Sequence, residues 1–338
     1  MKLFYEKDGT LDFIKERKVA VFGYGNQGRA HACNLKDSGV PVVVALRKNS
    51  KSWEKATSDG HQVMEFKEAS KWANFMMILL PDQVQKSVYK ESIEKNLDEN
   101  DTLCFAHGFN IHFQEITPPY FVDVVMVAPK SPGRLVRQTY EEGKGTPCLA
   151  AVYKGSPKTW DVVLSYAKAI GGLRAGTFQT TFKDETETDL FGEQTVLCGG
   201  VSELVKCGFE TLVENGYPQE LAYFECLHEL KLIVDLFYEG GLTKMNEDVS
   251  ETAEYGGYTR GSKILPRDWV KNKMNEVLKE VQTGEFAQEY LEDARNGQED
   301  LLKMRSLEKQ HGLEKVGKTL RANMSWLKKE EGHHECRV

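Results

Sequence analysis

At 338 residues the chain is long enough for two domains and a large core, and 40% apolar with 28% charged content is ordinary for a globular protein. A balance of 44 basic against 51 acidic residues, net −7, argues against general nucleic-acid binding. No run approaches the roughly 18 apolar residues of a membrane span, and the opening MKLFYEKDGTLDFIKERK lacks an apolar signal region.

Seven cysteines are scattered with no C-x-x-C pair (Cys33, Cys104, Cys148, Cys198, Cys207, Cys226, Cys336), which fits small buried hydrophobes in a reducing compartment. The expected location is the cytoplasm.

Residues 18–22 (KVAVF) form a predicted strand that runs into Gly23-Tyr24-Gly25-Asn26-Gln27-Gly28. A helical pattern follows to near Gly39, and a second strand covers 42–46. In this context a G-x-G-x-x-G motif marks a dinucleotide site: the first Gly makes the turn, the second admits a pyrophosphate, and the third lets helix and strand pack closely. An NAD site wants an acid at the end of the second strand. This chain instead has Arg47-Lys48-Asn49-Ser50-Lys51-Ser52. Arg47 can fork onto phosphate oxygens while Ser50 and Ser52 donate hydroxyls, so the expected cofactor is NADP(H).

Three further predicted strands, 75–80, 102–106 and 122–128, end in Pro81-Asp82-Gln83-Val84-Gln85, His107-Gly108-Phe109-Asn110 and Pro129-Lys130-Ser131-Pro132-Gly133. Ligands in doubly wound sheets bind beyond strand carboxyl ends, so these loops should face cofactor and substrate. His107 and Lys130, each at a strand end, are candidate catalytic residues. A strand at 147–153 and a helix at 156–170 close this domain.

After about residue 182 the strand pattern stops. Helices are predicted over 185–198, 202–215, 219–238, 251–258, 266–283, 286–296 and 299–310. The expected fold is thus an α/β Rossmann-type doubly wound sheet (1–182) followed by an all-α domain (183–328). The last ten residues, 329–338, are expected to be a disordered tail, although its HHEC could in principle hold a metal.

Two acid pairs stand out on these helices. Asp189/Glu193 and Glu225/Glu229 are each four apart, which at about 100° per residue puts each pair on one helix face. Both faces carry apolar neighbours and no Lys or Arg in register. Unpaired buried carboxylates cost several kcal/mol each, so an all-oxygen set suits a hard divalent ion, Mg²⁺ before Zn²⁺. Two solvated acidic faces are the alternative. Ser250 has the look of a helix N-cap, and could equally hold a substrate carboxylate.

These residues converge on a family. The stretches GYGNQGRAHACNL, LLPDQVQ, FAHGFNIHF, VAPKSPGRLVRQTYEEGKGTPCLAAV, ETETDLFGEQTVLCGG, ELAYFECLHELKLIVDLFYEGGL and SETAEYG resemble the ketol-acid reductoisomerases (acetohydroxy-acid isomeroreductases) of the short prokaryotic class.

The resemblance implies that two Mg²⁺ ions grip 2-acetolactate, or 2-aceto-2-hydroxybutyrate, and drive a 1,2-alkyl shift. NADPH then reduces the new ketone to the 2,3-dihydroxy-3-methyl acid, on the route to valine, leucine and isoleucine. It assigns Asp189 as the bridge between both metals, Glu193 to one, and Glu225 and Glu229 to the other. Ser250 would grip the substrate, with His107, Lys130 and Glu229 as the catalytic residues. The nucleotide contacts would be Gly23, Tyr24, Gly25, Asn26, Gln27, Gly28, Arg47, Ser50, Ser52, Asp82, Gln83, Val84, Gln85 and Gly133. The helical domain would be knotted and paired in a homodimer whose sites draw carboxylates from both chains, with a dodecamer as a further possibility.

Against the family's usual wording the chain has Asn26, Arg29, Ser131, Arg134 and the turn Gly257-Tyr258-Thr259-Arg260-Gly261-Ser262. Arg29 and Arg134 add positive charge near the cofactor. Two rival readings are a metal-independent 3-hydroxyacid dehydrogenase of the 6-phosphogluconate type and a non-catalytic NADP-binding protein. The first leaves the four carboxylates unexplained, and the completeness of that set argues against the second.

Overall fold

Strands Val19–Phe22, Phe75–Ile78 and Thr102–Phe105 are buried at every residue, because a parallel sheet covered on both faces has no solvent side. They belong to the computed structural model of the chain, which describes residues 1–328. Nine strands form one sheet: β1 (Leu3–Phe4), β2 (Val19–Phe22), β3 (Val42–Leu46), β4 (Gln62–Glu65), β5 (Phe75–Ile78), β6 (Thr102–Phe105), β7 (Asp123–Pro129), β8 (Cys148–Lys154) and β9 (Thr177–Gln179).

The order is β1-β9-β8-β7-β6-β5-β2-β3-β4. From β4 to β7 every neighbour is parallel. Within that block the chain order is the doubly wound dinucleotide-binding one, which reverses between β2 and β5. The sheet is not parallel throughout, since β8 runs antiparallel to β7, and β1 to β9.

Alternate residues feed two separate cores. Val19, Val21, Phe75 and Met77 join one, and Ala20, Phe22, Met76 and Ile78 join the other. The structure adds three strands that the sequence pattern did not indicate. β4 is polar and half-exposed at the sheet edge, so it shows no apolar run. β1 and β9 have two and three residues, too few to show a period.

Two compact units divide at Thr188/Asp189, within helix Phe182–Gly192. Among its described residues the second unit's regular structure is helices and single π-turns. Its core gathers Val205, Phe209, Ala222, Tyr223, Leu313 and Met324. Helix Gly312–Asn323, which lies beyond the predicted set, supplies Leu313 to that core. The region expected as one helix over 219–238 holds a π-turn, Phe224–His228, then continues as Glu229–Asp248, with Gly241 breaking the helical dihedrals (φ 75°, ψ −169°). The predicted helix at 251–258 extends to Ile264.

Helices Glu229–Asp248 and Glu251–Ile264 bury no residue, and Tyr238 (92%), Leu242 (69%) and Tyr255 (69%) are largely exposed. No described helix is long and apolar enough to cross a membrane. The HHEC tail lies outside the described residues.

Candidate functional site

The Gly-rich loop joins β2 to helix Asn26–Asp37, and its three glycines have three different surroundings. Gly23 sits at φ +103°, and a Cβ there would lie 2.6 Å from the Leu79 carbonyl oxygen. A Cβ on Gly28 would collide with the Gly23 carbonyl, so this position sets the approach of helix to strand. Gly25 faces open space, with nothing within 4 Å of an added Cβ. Turn, gap and close packing are what a pyrophosphate-binding loop needs. Asn26 and Gln27 open the helix, and Gln27 donates its side-chain amide to the Ser131 carbonyl at 2.8 Å. Gly133 opens helix Gly133–Glu141 against this loop. A Cβ there would strike the Asn26 carbonyl, so Gly133 lets two loops of the nucleotide edge touch.

Beyond β3, Arg47 is exposed while Ser50 and Ser52 are half-buried. The turn is closed by Ser50 N–H donating to the Arg47 carbonyl at 2.9 Å, and Ser52 N–H donates to the Ser50 hydroxyl at 3.2 Å. This is a basic, hydroxyl-bearing loop at a strand carboxyl end.

The loops after β5, β6 and β7 lie along the same carboxyl edge of the parallel block. Asp82 and Gln85 are tied to the β6 loop by Asn110, whose amide donates to the Asp82 carbonyl and to Gln85 Oε1, each at 3.1 Å. Gln83 and Val84 share that helical turn, with Val84 exposed. His107 Nδ1 lies 3.9 Å from Asp82 Oδ2.

A residue that sequence reasoning passed over stands at the centre of these loops. Glu185 is 1% exposed. Its Oε1 accepts from Lys130 Nζ at 2.7 Å, and its Oε2 accepts from the Gly108 N–H at 3.0 Å. His107 Nε2 is 3.9 Å from the same Oε2. Helix Phe182–Gly192 then places Asp189 one turn beyond Glu185. His107, Glu185 and Asp189 offer ligand atoms within 4.8 Å of one another, a carboxylate-rich group able to accept a hard divalent ion. The available signal was spacing: Glu185 is four residues before Asp189, on the same helix face.

The other three expected metal ligands join no such group among the described residues. Glu193, Glu225 and Glu229 are all exposed. Each acid pair borders a π-turn, Glu193–Leu197 and Phe224–His228, with the Cys198 N–H reaching the Glu193 carbonyl and the Glu229 N–H reaching that of Phe224. Asp189 and Glu193 therefore keep regular α-helical spacing, with the π-turn starting at Glu193, whereas Glu225 and Glu229 are separated by π-helical backbone. π-turns cost hydrogen-bond geometry and recur at functional sites. Ser250 caps helix Glu251–Ile264, its exposed hydroxyl accepting from the Ala253 N–H at 3.2 Å.

Comparisons with known proteins cover almost the whole chain. Residues 13–176 match the NADPH-binding domain of acetohydroxy acid isomeroreductase, and residues 182–326 match the C-terminal domain of ketol-acid reductoisomerase. A ketol-acid reductoisomerase (NADP(+)) from Chloroherpeton thalassium is 56% identical over 328 residues, 97% of each chain. The solved structure of an NADH-preferring ketol-acid reductoisomerase from an uncultured archean superposes with a TM-score of 0.92 at 45% identity, over 95% of this chain and 99% of that one. A semialdehyde dehydrogenase NAD-binding protein from Cupriavidus necator shares the fold alone, at 16% identity and a TM-score of 0.59, over 78% of this chain and 99% of that one.

Proposed function

The chain belongs to the ketol-acid reductoisomerase family, an NADP-dependent oxidoreductase family, and from that premise we propose the full reaction and its residues. The substrate is 2-acetolactate or 2-aceto-2-hydroxybutyrate. The product is the 2,3-dihydroxy-3-methyl acid of branched-chain amino-acid synthesis, reached by 1,2-alkyl migration and then NADPH reduction.

The observation that carries this reading is the grouping of His107, Glu185 and Asp189, with Lys130 paired to Glu185, at the strand ends that also carry the Gly-rich loop. Asp189 and Glu193 of one chain, with Glu225 and Glu229, are the proposed holders of two Mg²⁺ ions. When bound, magnesium supplies Lewis-acid polarisation of the substrate oxygens and NADPH supplies hydride. The protein's own part is positioning and proton handling. Glu185 fixes the Lys130 ammonium through Oε1 and so holds that cation at the end of β7. The Gly108 N–H locks Glu185 itself. His107 Nε2 lies 3.9 Å from the same carboxylate, so a proton passes between Lys130 and Glu185 directly and to His107 through one bridging water. Glu229 adds an acid from the helical domain, and Ser250 a hydroxyl for the substrate carboxylate.

A homodimer with shared sites is supported by Glu225 and Glu229 standing among exposed Leu221 (54%) and Leu232 (52%), an apolar face that a second copy would cover. The described cysteines are all free thiols, which supports the cytoplasmic location.

The test is NADPH oxidation on addition of 2-acetolactate, with and without Mg²⁺. Absence of turnover with all components overturns the reading, and turnover surviving exhaustive EDTA treatment overturns its metal-dependent part.

A further inference from the structure

Away from the reacting centre, one buried carboxylate joins two parts of the nucleotide edge. Asp59 closes the short helix Trp53–Ser58, and its side chain is 4% exposed. Its Oδ2 accepts from the Tyr24 hydroxyl at 2.8 Å and from Arg29 Nε at 2.7 Å. Tyr24 is the middle residue of Gly23-Tyr24-Gly25, and Arg29 stands in the first turns of the helix that this loop opens. Lys55 Nζ lies 3.4 Å from Oδ1, and Lys36 Nζ donates to the Asp59 and Gly60 carbonyls at 3.2 and 3.0 Å. The other end of the Trp53–Ser58 helix begins at Ser52, the last residue of the Arg47–Ser52 turn. At about 1.5 Å per residue, Ser52 to Asp59 is a rigid step of about 10 Å.

Burial pulls the Asp59 carboxyl upward, and the bonds from Arg29 and Tyr24, with the charges of Arg29 and Lys55, more than offset this, so it is held below its usual value. Burial raises the Tyr24 phenol far above its ordinary range, so it remains a donor. The anion is therefore permanent at neutral pH, and both partners hold it in one geometry.

We propose that Asp59 is a positioning residue for NADPH: Tyr24 and Arg29 anchor it to the pyrophosphate loop, and through its helix it sets the distance from that loop to Arg47, Ser50 and Ser52, the loop itself keeping its glycine-set shape without it. This rests on the reading of residues 47–52 as the 2′-phosphate loop. A cofactor that carries both the pyrophosphate and the 2′-phosphate needs the two loops in register. NADH, which lacks the 2′-phosphate, needs only the first.

The experiment is steady-state kinetics of the full-length enzyme with saturating 2-acetolactate and Mg²⁺, with either NADPH or NADH, for Asp59→Asn, Arg47→Ala and the double variant. Asp59→Asn raises KM for NADPH about tenfold, the scale of a lost charge-assisted hydrogen bond, with kcat and KM for NADH changed less than about threefold. In the Arg47→Ala background, Asp59→Asn leaves the NADPH/NADH ratio unchanged. An equal rise for both cofactors, or none for either, overturns the proposal. An unchanged NADPH/NADH ratio in Arg47→Ala alone rejects the 2′-phosphate reading, and the proposal with it. Thermal melts accompany each variant. Should Asp59→Asn fail to fold, Arg29→Gln is measured in its place, with the same selective rise in NADPH KM required.

Discussion

Lys130 Nζ lies 2.7 Å from Oε1 of Glu185, so a fully buried acid of helix Phe182–Gly192 is neutralised by a cation 55 residues away in sequence. The two partners are unequal, since Lys130 is 33% exposed in its side chain and Glu185 only 1%. Removing Lys130 leaves a buried anion with the Gly108 N–H at 3.0 Å and His107 Nε2 at 3.9 Å. Lys130→Met should therefore cost stability toward the lower end of the ~3–5 kcal/mol seen for broken buried pairs. Glu185→Gln keeps an acceptor for Gly108 and leaves a lysine that can reach water, so it costs about 1 kcal/mol. Both variants lose at least about a hundredfold in kcat, the scale of a lost proton-handling group. Urea denaturation beside turnover measures the asymmetry; equal stability losses would count against it.

The glycines of the nucleotide loop separate binding from folding. Gly25→Ala meets nothing within 4 Å, so its melting temperature should match the parent chain while NADPH affinity falls about tenfold or more as the methyl occupies the pyrophosphate's approach. Gly28→Ala strikes the Gly23 carbonyl and should lower the melting temperature as well. A Gly25→Ala protein that binds NADPH normally in a fluorescence titration would remove the pyrophosphate from this loop.

Much of this was legible because it is local. The continuous apolar strands, the glycine motif after β2 and the absence of an acid after β3 depend on neighbours within a few residues. Glu185 was invisible within the acidic run ETETD because its distinction comes from Gly108 and Lys130, which arrive by tertiary folding. Asp59 likewise looks like a turn residue until Tyr24 and Arg29 close on it. The π-turns at Glu193–Leu197 and Phe224–His228 carry no composition signal, so the sequence did not indicate that Glu225 and Glu229 are separated by π-helical backbone while Asp189 and Glu193 keep α-helical spacing. β4 hid for the opposite reason: edge strands are polar.

Two histidines make stability depend on pH. Burial holds His31 down at about 3, with its Nδ1 2.8 Å from the Tyr166 hydroxyl, and burial, with the charge of Lys36, holds His61 down at about 4. Both native values lie below the unfolded value near 6.5, so the unfolded chain binds protons first. Stability is full above pH 6.5 and falls as pH drops toward 4, by up to about 1.4 kcal/mol per pH unit for each histidine. Urea midpoints from pH 7.5 to 5 should decline accordingly, with unfolding near pH 5 taking up close to two protons from these groups. A flat profile across that window would show that neither imidazole is held neutral.

Glu193→Gln isolates the metal role. Its side chain is exposed and distant in sequence from the glycine loop, so NADPH affinity should stay within about threefold while isomerisation of 2-acetolactate disappears. Calorimetric titration with Mg²⁺ should show a weakened or missing site. Unaltered Mg²⁺ binding would return Glu193 to the class of solvated surface acids.

The helical unit leaves Tyr238, Leu242 and Tyr255 at 92%, 69% and 69% exposure, on two helices that bury no residue of their own. Scattered apolar residues are common on surfaces, but consecutive helices without a buried face fit the homodimer proposed above. Leu242→Asp removes no buried contact within the chain, so the monomer's own stability should change by less than about 0.5 kcal/mol. In a two-chain assembly the same substitution buries an unpaired carboxylate at the interface, which costs several kcal/mol and should dissociate it. If Glu225 and Glu229 complete the site of the opposite chain, activity is lost with the dimer although neither acid has been touched. Light scattering and turnover on the same sample decide the matter. A Leu242→Asp protein that is monomeric and fully active would show that each chain carries its own complete set of carboxylates.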